Sequence, residues 1–335
     1  MDQRQLFVNN ILQDVNWSFS ATEAIAFAPA NIALSKYWGK RDIELNLPVT
    51  DSLSISLDKF GATTTVAQSL SNNDVVILNE KLLSITDPAY IRLINFLELF
   101  RPNKNYFFKV DTKVNIPIAA GFASSAAGFA ALILALARLF GWELSRKELS
   151  MLARLGSGSA TRSLWDGFVY WHCGQEPTGV DCYAELIPLT WPDLCLGLLM
   201  VDSAQKPISS SKAMQNTMNT SPLYNAWPSA CAVALANITM AIEEQNIDRL
   251  GAIAEQNALA MHAIMQAAQP AIYYALPDTV ALMHKVWQFR QEGLPLYFTQ
   301  DAGPNLKLLF SAKISKQVQT LFPEMLLVQP FVSNT

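Results

Sequence analysis

Four short segments of the chain carry side chains that a fold alone does not demand. The first runs Asn31-Ile32-Ala33-Leu34-Ser35-Lys36-Tyr37-Trp38-Gly39-Lys40-Arg41-Asp42 and packs three cations and two large aromatics into six residues. Cations beside aromatic rings suit an anionic ligand in a shaped pocket. The second is a small-residue loop, Pro117-Ile118-Ala119-Ala120-Gly121-Phe122-Ala123-Ser124-Ser125-Ala126-Ala127-Gly128, which runs straight into an apolar helical stretch at 129–140. Small residues let a backbone approach a ligand closely. A helix N-terminus adds unpaired N–H groups and a partial positive charge, and together they cradle phosphate. This loop lacks the lysine of the G-x-x-x-x-G-K-[ST] pattern and the full G-x-G-x-x-G spacing. The third segment, Gly156-Ser157-Gly158-Ser159-Ala160-Thr161-Arg162-Ser163, can point two hydroxyls, free N–H groups and a planar guanidinium at one anion. The fourth, Asp301-Ala302-Gly303-Pro304-Asn305, sets an aspartate beside a rigid turn.

Each segment also has a plain structural reading. The first is then a solvated loop anchored by Trp38, and the second a helix that packs closely. The third becomes a helix cap with Arg162 on the surface, and the fourth an Asx-type turn.

Composition sets bounds on these readings. The chain has 335 residues, 51% of them hydrophobic and 16% charged, with a net charge of −4. That describes a well-packed globular protein long enough for two domains. It offers no general attraction for nucleic acid or an anionic membrane, so anion binding must be local. The four cysteines, Cys173, Cys182, Cys195 and Cys231, form no C-x-x-C pair. None of the three histidines stands at metal-ligand spacing to a cysteine, so a structural zinc site is not expected. Residues 1–16 lack the apolar core of a signal peptide. The most apolar run, 126–139, is shorter than the roughly 20 residues a bilayer span needs. These features place the protein in the cytoplasm.

The elements that must position the four segments follow from periodicity. Strands are expected at 23–28, 53–57, 62–67, 75–78 and 106–114, with a turn at Asn72-Asn73-Asp74. A helix is expected at 88–100, ended by Pro102, and another after the small-residue loop, closed by Gly141. Ser145 and Glu148 form a capping box for a third helix whose buried face carries Leu149, Leu152 and Leu155. A strand at 167–172 follows the third segment. The pattern restarts after Trp191-Pro192 with an apolar strand at 194–202. A polar stretch at 206–221 is expected as a mobile loop. Helices at 228–245, 247–267 and 278–291 and strands at 296–299 and 306–310 complete the chain. Strands and helices mix without regular βαβ alternation, which favours α+β, with a domain boundary near residue 190.

In order and spacing the four segments resemble the diphosphomevalonate decarboxylases of the GHMP kinase superfamily. The first is similar to N-I-A-x-x-K-Y-W-G-K-R, the second to A-A-G-[LF]-A-S-S-A, the third to G-S-G-S-A-x-R-S and the fourth to D-A-G-P-N. The resemblance covers about residues 28–310. It implies a two-domain GHMP-kinase fold. An N-terminal ribosomal-protein-S5-like domain would span 1–190 and a C-terminal α/β sandwich domain 191–335, with the active site in the cleft between them. It also implies ATP-dependent decarboxylation of mevalonate 5-diphosphate to isopentenyl diphosphate through C3-hydroxyl phosphorylation, in a homodimer.

By the same resemblance Asp301 is the catalytic aspartate, and Lys36 stabilises it or the transferred phosphate. Tyr37, Trp38, Gly39, Lys40, Arg92, Ser157, Gly158, Ser159, Ala160, Thr161, Arg162 and Ser211 would hold the substrate. Ala120, Gly121, Phe122, Ala123, Ser124 and Ser125 would hold ATP, with Ser124 or Ser125 on Mg²⁺. Departures from the family pattern include Asp51 and Asp166, two carboxylates expected near a diphosphate site. Pro207 stands where a basic residue is common, and Ser211 where threonine is frequent. Two relatives of this activity stay open: decarboxylation of mevalonate 5-phosphate, and a kinase that stops after C3 phosphorylation. A non-catalytic phosphometabolite-binding protein on the same scaffold is the alternative of another class.

Overall fold

A computed structural model of the chain describes residues 2–15, 20–116, 124–202 and 208–332. Helix α1 (Gln3–Ile11) is capped by the Asp2 side chain, which accepts a hydrogen bond from the Arg4 amide. It buries Phe7 and Val8, and no periodicity in the sequence had pointed to it.

Strand β1 (Glu23–Ser35) leads to a small ribbon, β2 (Lys40–Asp42) with β3 (Leu47–Pro48), and then to β4 (Ser52–Gln68). The separate strands expected at 53–57 and 62–67 are one continuous strand, β4. Gly61 stands opposite Pro29, where an added Cβ would collide with the Ala28 carbonyl. Glycine lets the two backbones close up, so pairing continues on both sides of the register shift between Pro29 and Asn31.

Strands β5 (Val75–Leu78) and β6 (Lys81–Leu82), helix α2 (Pro88–Leu97) and strand β7 (Phe108–Val114) come next. Helices α3 (Ser124–Phe140) and α4 (Arg146–Gly156) precede strands β8 (Phe168–Trp171) and β9 (Ala184–Ile187). The sheet runs β6-β5-β7-β4-β8-β9, with β1 paired to β4. Helix α3 lies against β1 and β4. Beneath it Ala24, Ala26 and Ala28 are buried, while the larger Ile25 and Phe27 are exposed. Small side chains on this part of the inner face let the helix lie close to the strand. The capping box forms as expected: the Ser145 hydroxyl accepts from the Glu148 amide, and the Glu148 carboxylate accepts from the Ser145 amide at 2.7 Å.

Strand β10 (Leu194–Leu199), helices α5 (Ser210–Thr220), α6 (Trp227–Glu243), α7 (Ile247–Gln266) and α8 (Pro277–Gln291), and strands β11 (Tyr297–Gln300) and β12 (Leu306–Ser311) follow. Helix α9 (Ser315–Leu321) and strand β13 (Leu326–Val328) end the fold. An antiparallel sheet runs β11-β12-β10-β13. The polar stretch expected as a loop at 206–221 is helical over α5, while residues 203–207 lie outside the described ones. Ser209 caps α5, and Ala213, Met214 and Thr217 share one buried face, a stripe too short to stand out in a polar sequence.

The largest core cluster joins the first sheet and α3 to Leu194, Leu196 and Leu198 of β10 and to parts of α6 and α7. Strands and helices thus mix as an α+β architecture. Cys182, Cys195 and Cys231 are buried, Cys173 is half-buried, and all four are free thiols. Among the described residues no helix is long and apolar enough to cross a membrane.

Candidate active site

Lys36 follows the last residue of β1, Asp301 follows the last residue of β11, and Lys307 lies within β12. The turn from Asp301 to Asn305 is tied at several points. The Asn305 side chain accepts from the Val201 amide at 2.6 Å and donates to the Asp202 carbonyl at 3.0 Å. Gln300 donates to the Gly303 carbonyl at 2.8 Å, and Thr279 to the Pro304 carbonyl at 2.8 Å. Just past the end of β1 the Lys36 amide donates to Asn257 Oδ1 at 2.8 Å. Side chains fix both backbones, so the two elements present their charged groups in a set geometry.

Asp301 sits between the two lysines. Its Oδ1 is 2.6 Å from Lys36 Nζ and its Oδ2 is 3.0 Å from Lys307 Nζ. Each lysine side chain is 2% exposed, whereas Asp301 is 28% exposed. Burial alone would raise the Asp301 pKa. Lys307 and Lys36 outweigh it and hold the carboxyl well below the usual carboxylate range. Burial pulls the Lys36 ammonium down to about 8, with Asp301 opposing. His262 places Nε2 3.2 Å from the Asp301 carbonyl oxygen. Burial, with Lys36 nearby, lowers its pKa to about 4, so the ring is neutral at pH 7.

Asp301 opens onto a cleft of about 910 Å³ whose wall includes Arg4, Lys36, Lys40, Arg92 and Arg162. Among the described residues two carboxylates, Glu44 and Asp301, line it. Arg162 is 2% exposed, donates to Ser52 Oγ at 2.7 Å and lies 5.4 Å from the centre of the Trp171 ring. Arg162 Nε and Tyr37 Oη are buried with no hydrogen-bond partner among the described residues, as groups awaiting an anion would be. Ser157 and Ser159 place their hydroxyls 3.2 Å apart just before Arg162. Lys40 Nζ donates to Asn46 Oδ1 at 2.7 Å and to Ser211 Oγ at 3.0 Å. Burial, followed by Arg92, lowers the Lys40 pKa to about 8.

The structure brings Lys36, Tyr37, Trp38, Lys40, Arg92, Ser125, Ser157, Gly158, Ser159, Arg162, Ser211 and Asp301 to this one cleft. Gly39, Ala160 and Thr161 do not reach its surface. Gly39, at φ 131°, instead lets the chain turn past Tyr224, and Ala160 and Thr161 are buried in the short 3-10 turn from Gly158 to Arg162. Ala120, Gly121, Phe122 and Ala123 lie outside the described residues, and Ser124 opens α3. Asp51 and Asp166 are absent from the cleft wall. Asp51 accepts from Tyr170 Oη at 2.7 Å and from the Cys173 amide at 2.6 Å, which ties strand ends together instead of opposing a bound anion.

Sequence reading missed Lys307, Asn257 and His262. Lys307 did leave a signal, as a lone lysine inside the apolar run Leu306-Lys307-Leu308-Leu309-Phe310. A lysine inside a buried strand needs a partner. Asn257 and His262 left none, because polar residues on a helix usually face water.

A family model for the diphosphomevalonate decarboxylase-like N-terminal domain matches residues 28–184, and one for the mevalonate 5-diphosphate decarboxylase C-terminal domain matches residues 197–333. The chain is 38% identical to the diphosphomevalonate decarboxylase of Danio rerio, over 88% of this chain and 76% of that one. It is 34% identical to that of Ganoderma lucidum, over 90% of this chain and 82% of the other. A solved complex of MDDEF with MVAPP, AMPPCP and magnesium is similar at TM-score 0.87 and 37% identity, covering 92% of this chain and 98% of that chain. The mevalonate diphosphate decarboxylase of Staphylococcus aureus is similar at TM-score 0.85 and 33% identity, covering 92% and 95%.

Proposed function

The chain belongs to the diphosphomevalonate decarboxylase family, and from that premise we propose how its cleft converts mevalonate 5-diphosphate, with ATP, to isopentenyl diphosphate, ADP, phosphate and carbon dioxide. The observation that carries the reading is Asp301, ionised between two buried lysines and facing a cleft walled by cations.

Loss of carbon dioxide needs an electron sink beside the carboxylate. The substrate gains one at C3 once its hydroxyl has become a phosphate and begins to leave. Asp301 accepts a hydrogen bond from that hydroxyl and aims it at the phosphoryl donor. Because Lys307 and Lys36 keep it ionised, it serves as a fixed acceptor, and the hydroxyl proton ends on the released phosphate. Lys36 faces the same point and offsets the charge of the phosphate that arrives and departs.

The diphosphate is held by Arg162, Lys40 and Arg92, with Tyr37, Ser157 and Ser159 completing the grip. Lys40 is aimed by Asn46 and Ser211. ATP takes the N-terminal end of α3, where Ser125 is exposed on the cleft. Hydroxyl oxygens at that helix end suit a hard cation, and Ser124 or Ser125 would hold Mg²⁺ there. When bound, Mg²⁺ offsets the charge of the phosphates. A division into units 1–190 and 191–335 would put Lys36 and Arg162 on one side of the cleft and Asp301 on the other. The absence of a basic surface excess favours a small-molecule enzyme over a nucleic-acid binder. A cytoplasmic homodimer is part of the same reading.

The deciding assay follows ADP and carbon dioxide separately. Equal release of both with mevalonate 5-diphosphate is expected. ADP without carbon dioxide would make the protein a kinase. Faster turnover of mevalonate 5-phosphate would move the assignment to the monophosphate, and binding without turnover would make it a carrier.

A further inference from the structure

Ahead of residue 28, where the family match begins, helix α1 brings a cation to the cleft wall. We propose that Arg4 is a further substrate-binding residue, which grips the terminal phosphate of the diphosphate. The inference rests on the reading of the substrate given above.

Three observations carry it. First, Arg4 converges with the other cations on one spot. Its NH2 donates to the Leu155 carbonyl at 3.3 Å, the same carbonyl accepts from Asn46 Nδ2 at 3.3 Å, and the next one, of Gly156, accepts from Arg92 at 2.9 Å. Asn46 in turn holds Lys40 at 2.7 Å. The carbonyls at the C-terminal end of α4 carry partial negative charge and gather these cations just where Ser157 and Ser159 begin. Second, Arg4 has donors to spare. A guanidinium has five N–H groups, and Arg4 Nε is buried with no hydrogen-bond partner among the described residues. A phosphate at this spot would satisfy it in the planar fork geometry that arginine offers.

Third, the helix that carries Arg4 is anchored. Phe7 and Val8 lie in the main core, the Arg154 guanidinium stands 5.0 Å from the Phe7 ring centre, and Gln5 donates to the Leu99 carbonyl at 3.2 Å. A cation on a fixed element costs little entropy when it engages a ligand. Exposed Glu44 shares the cleft wall and offsets part of its positive charge.

Arg4→Ala and Arg4→Lys test the proposal. Steady-state kinetics with mevalonate 5-diphosphate should show KM raised about tenfold in Arg4→Ala with kcat within about twofold, and partial recovery in Arg4→Lys. Calorimetry with inorganic pyrophosphate and with inorganic phosphate gives a readout that does not depend on turnover. Pyrophosphate affinity should fall at least about fivefold in Arg4→Ala, and by more than phosphate affinity, because a single phosphate can also sit at the Arg162 end of the site. An unchanged pyrophosphate affinity would overturn the inference and leave Arg4 as a helix anchor. If the wild-type protein fails to turn over mevalonate 5-diphosphate, the functional reading falls, and the pyrophosphate comparison still decides the role of Arg4.

Discussion

Substituting Lys307 by methionine should separate the electrostatics of Asp301 from its packing. At 3.0 Å the Lys307–Asp301 attraction is about 5 kcal/mol gross at an effective dielectric near 20. The burial of the ammonium works against it by several kcal/mol per ion, roughly the same size. The two nearly cancel, so Lys307→Met, similar in volume, should change stability by less than about 2 kcal/mol. Asp301→Asn is the contrast. It leaves Lys36 and Lys307 buried side by side without a counter-charge and should cost about 3–5 kcal/mol at pH 7.

The pH profile supplies the sharper readout. The folded-state Asp301 carboxyl lies below its unfolded value, so the stability it contributes is full above about pH 4 and is lost as pH falls through the folded value. Removing Lys307 raises the folded value, and both the loss of stability and the acid limb of kcat should move up by about one to two pH units. Urea melts from pH 2 to 7 and a kcat profile over the same range provide the test. If Lys307→Met is as unstable as Asp301→Asn while its acid limb stays in place, Lys307 is a packing residue and the account of Asp301 fails.

Three further outcomes are expected. Lys40, at about 8, loses its charge as pH rises, so KM for the diphosphate should be flat below pH 8 and climb by up to about tenfold per unit above it. Lys40→Arg should flatten that climb. Arg162→Lys loses the planar fork and the contact with Trp171, and should raise KM by about 10–100-fold with the fold intact by circular dichroism. Gly39→Ala would drive a methyl group into Tyr224, whose hydroxyl donates to the Trp38 carbonyl at 3.2 Å, and would force a residue with a Cβ to adopt φ 131°. Thermal unfolding should show a loss of about 2–4 kcal/mol.

The motifs were legible because their chemistry needs particular residue types close together along the chain. Glycine and serine at 156–159 with Arg162 could be read as an anion grip before any fold was known. Apolar periodicity likewise revealed α4 and α7, whose caps Ser145 and Asn246 bond as such residues do. What stayed hidden depends on contacts distant in sequence. Lys307 reads as an odd strand residue until Asp301 and Lys36 surround it. The junction of 53–57 with 62–67 is invisible until Gly61 meets Pro29 across the sheet. Helix α1 has weak periodicity of its own and gains its role from Phe7 packing beneath Arg154. Its arginine then joins a site whose other named members begin at Lys36, 32 residues further along.

Lys36 and Asp301 are 265 residues apart, and a ribosome adding about 5–20 residues per second releases them roughly 10–50 s apart. Through that interval the nascent first sheet holds an ammonium destined for burial with no carboxylate to meet it. Its main core still lacks Leu309 and Val328. The growing chain must therefore wait with its centre open, a natural client for chaperones. On the role proposed for Asp301, any product released before residue 301 lacks the group that aims the hydroxyl and should not spend ATP.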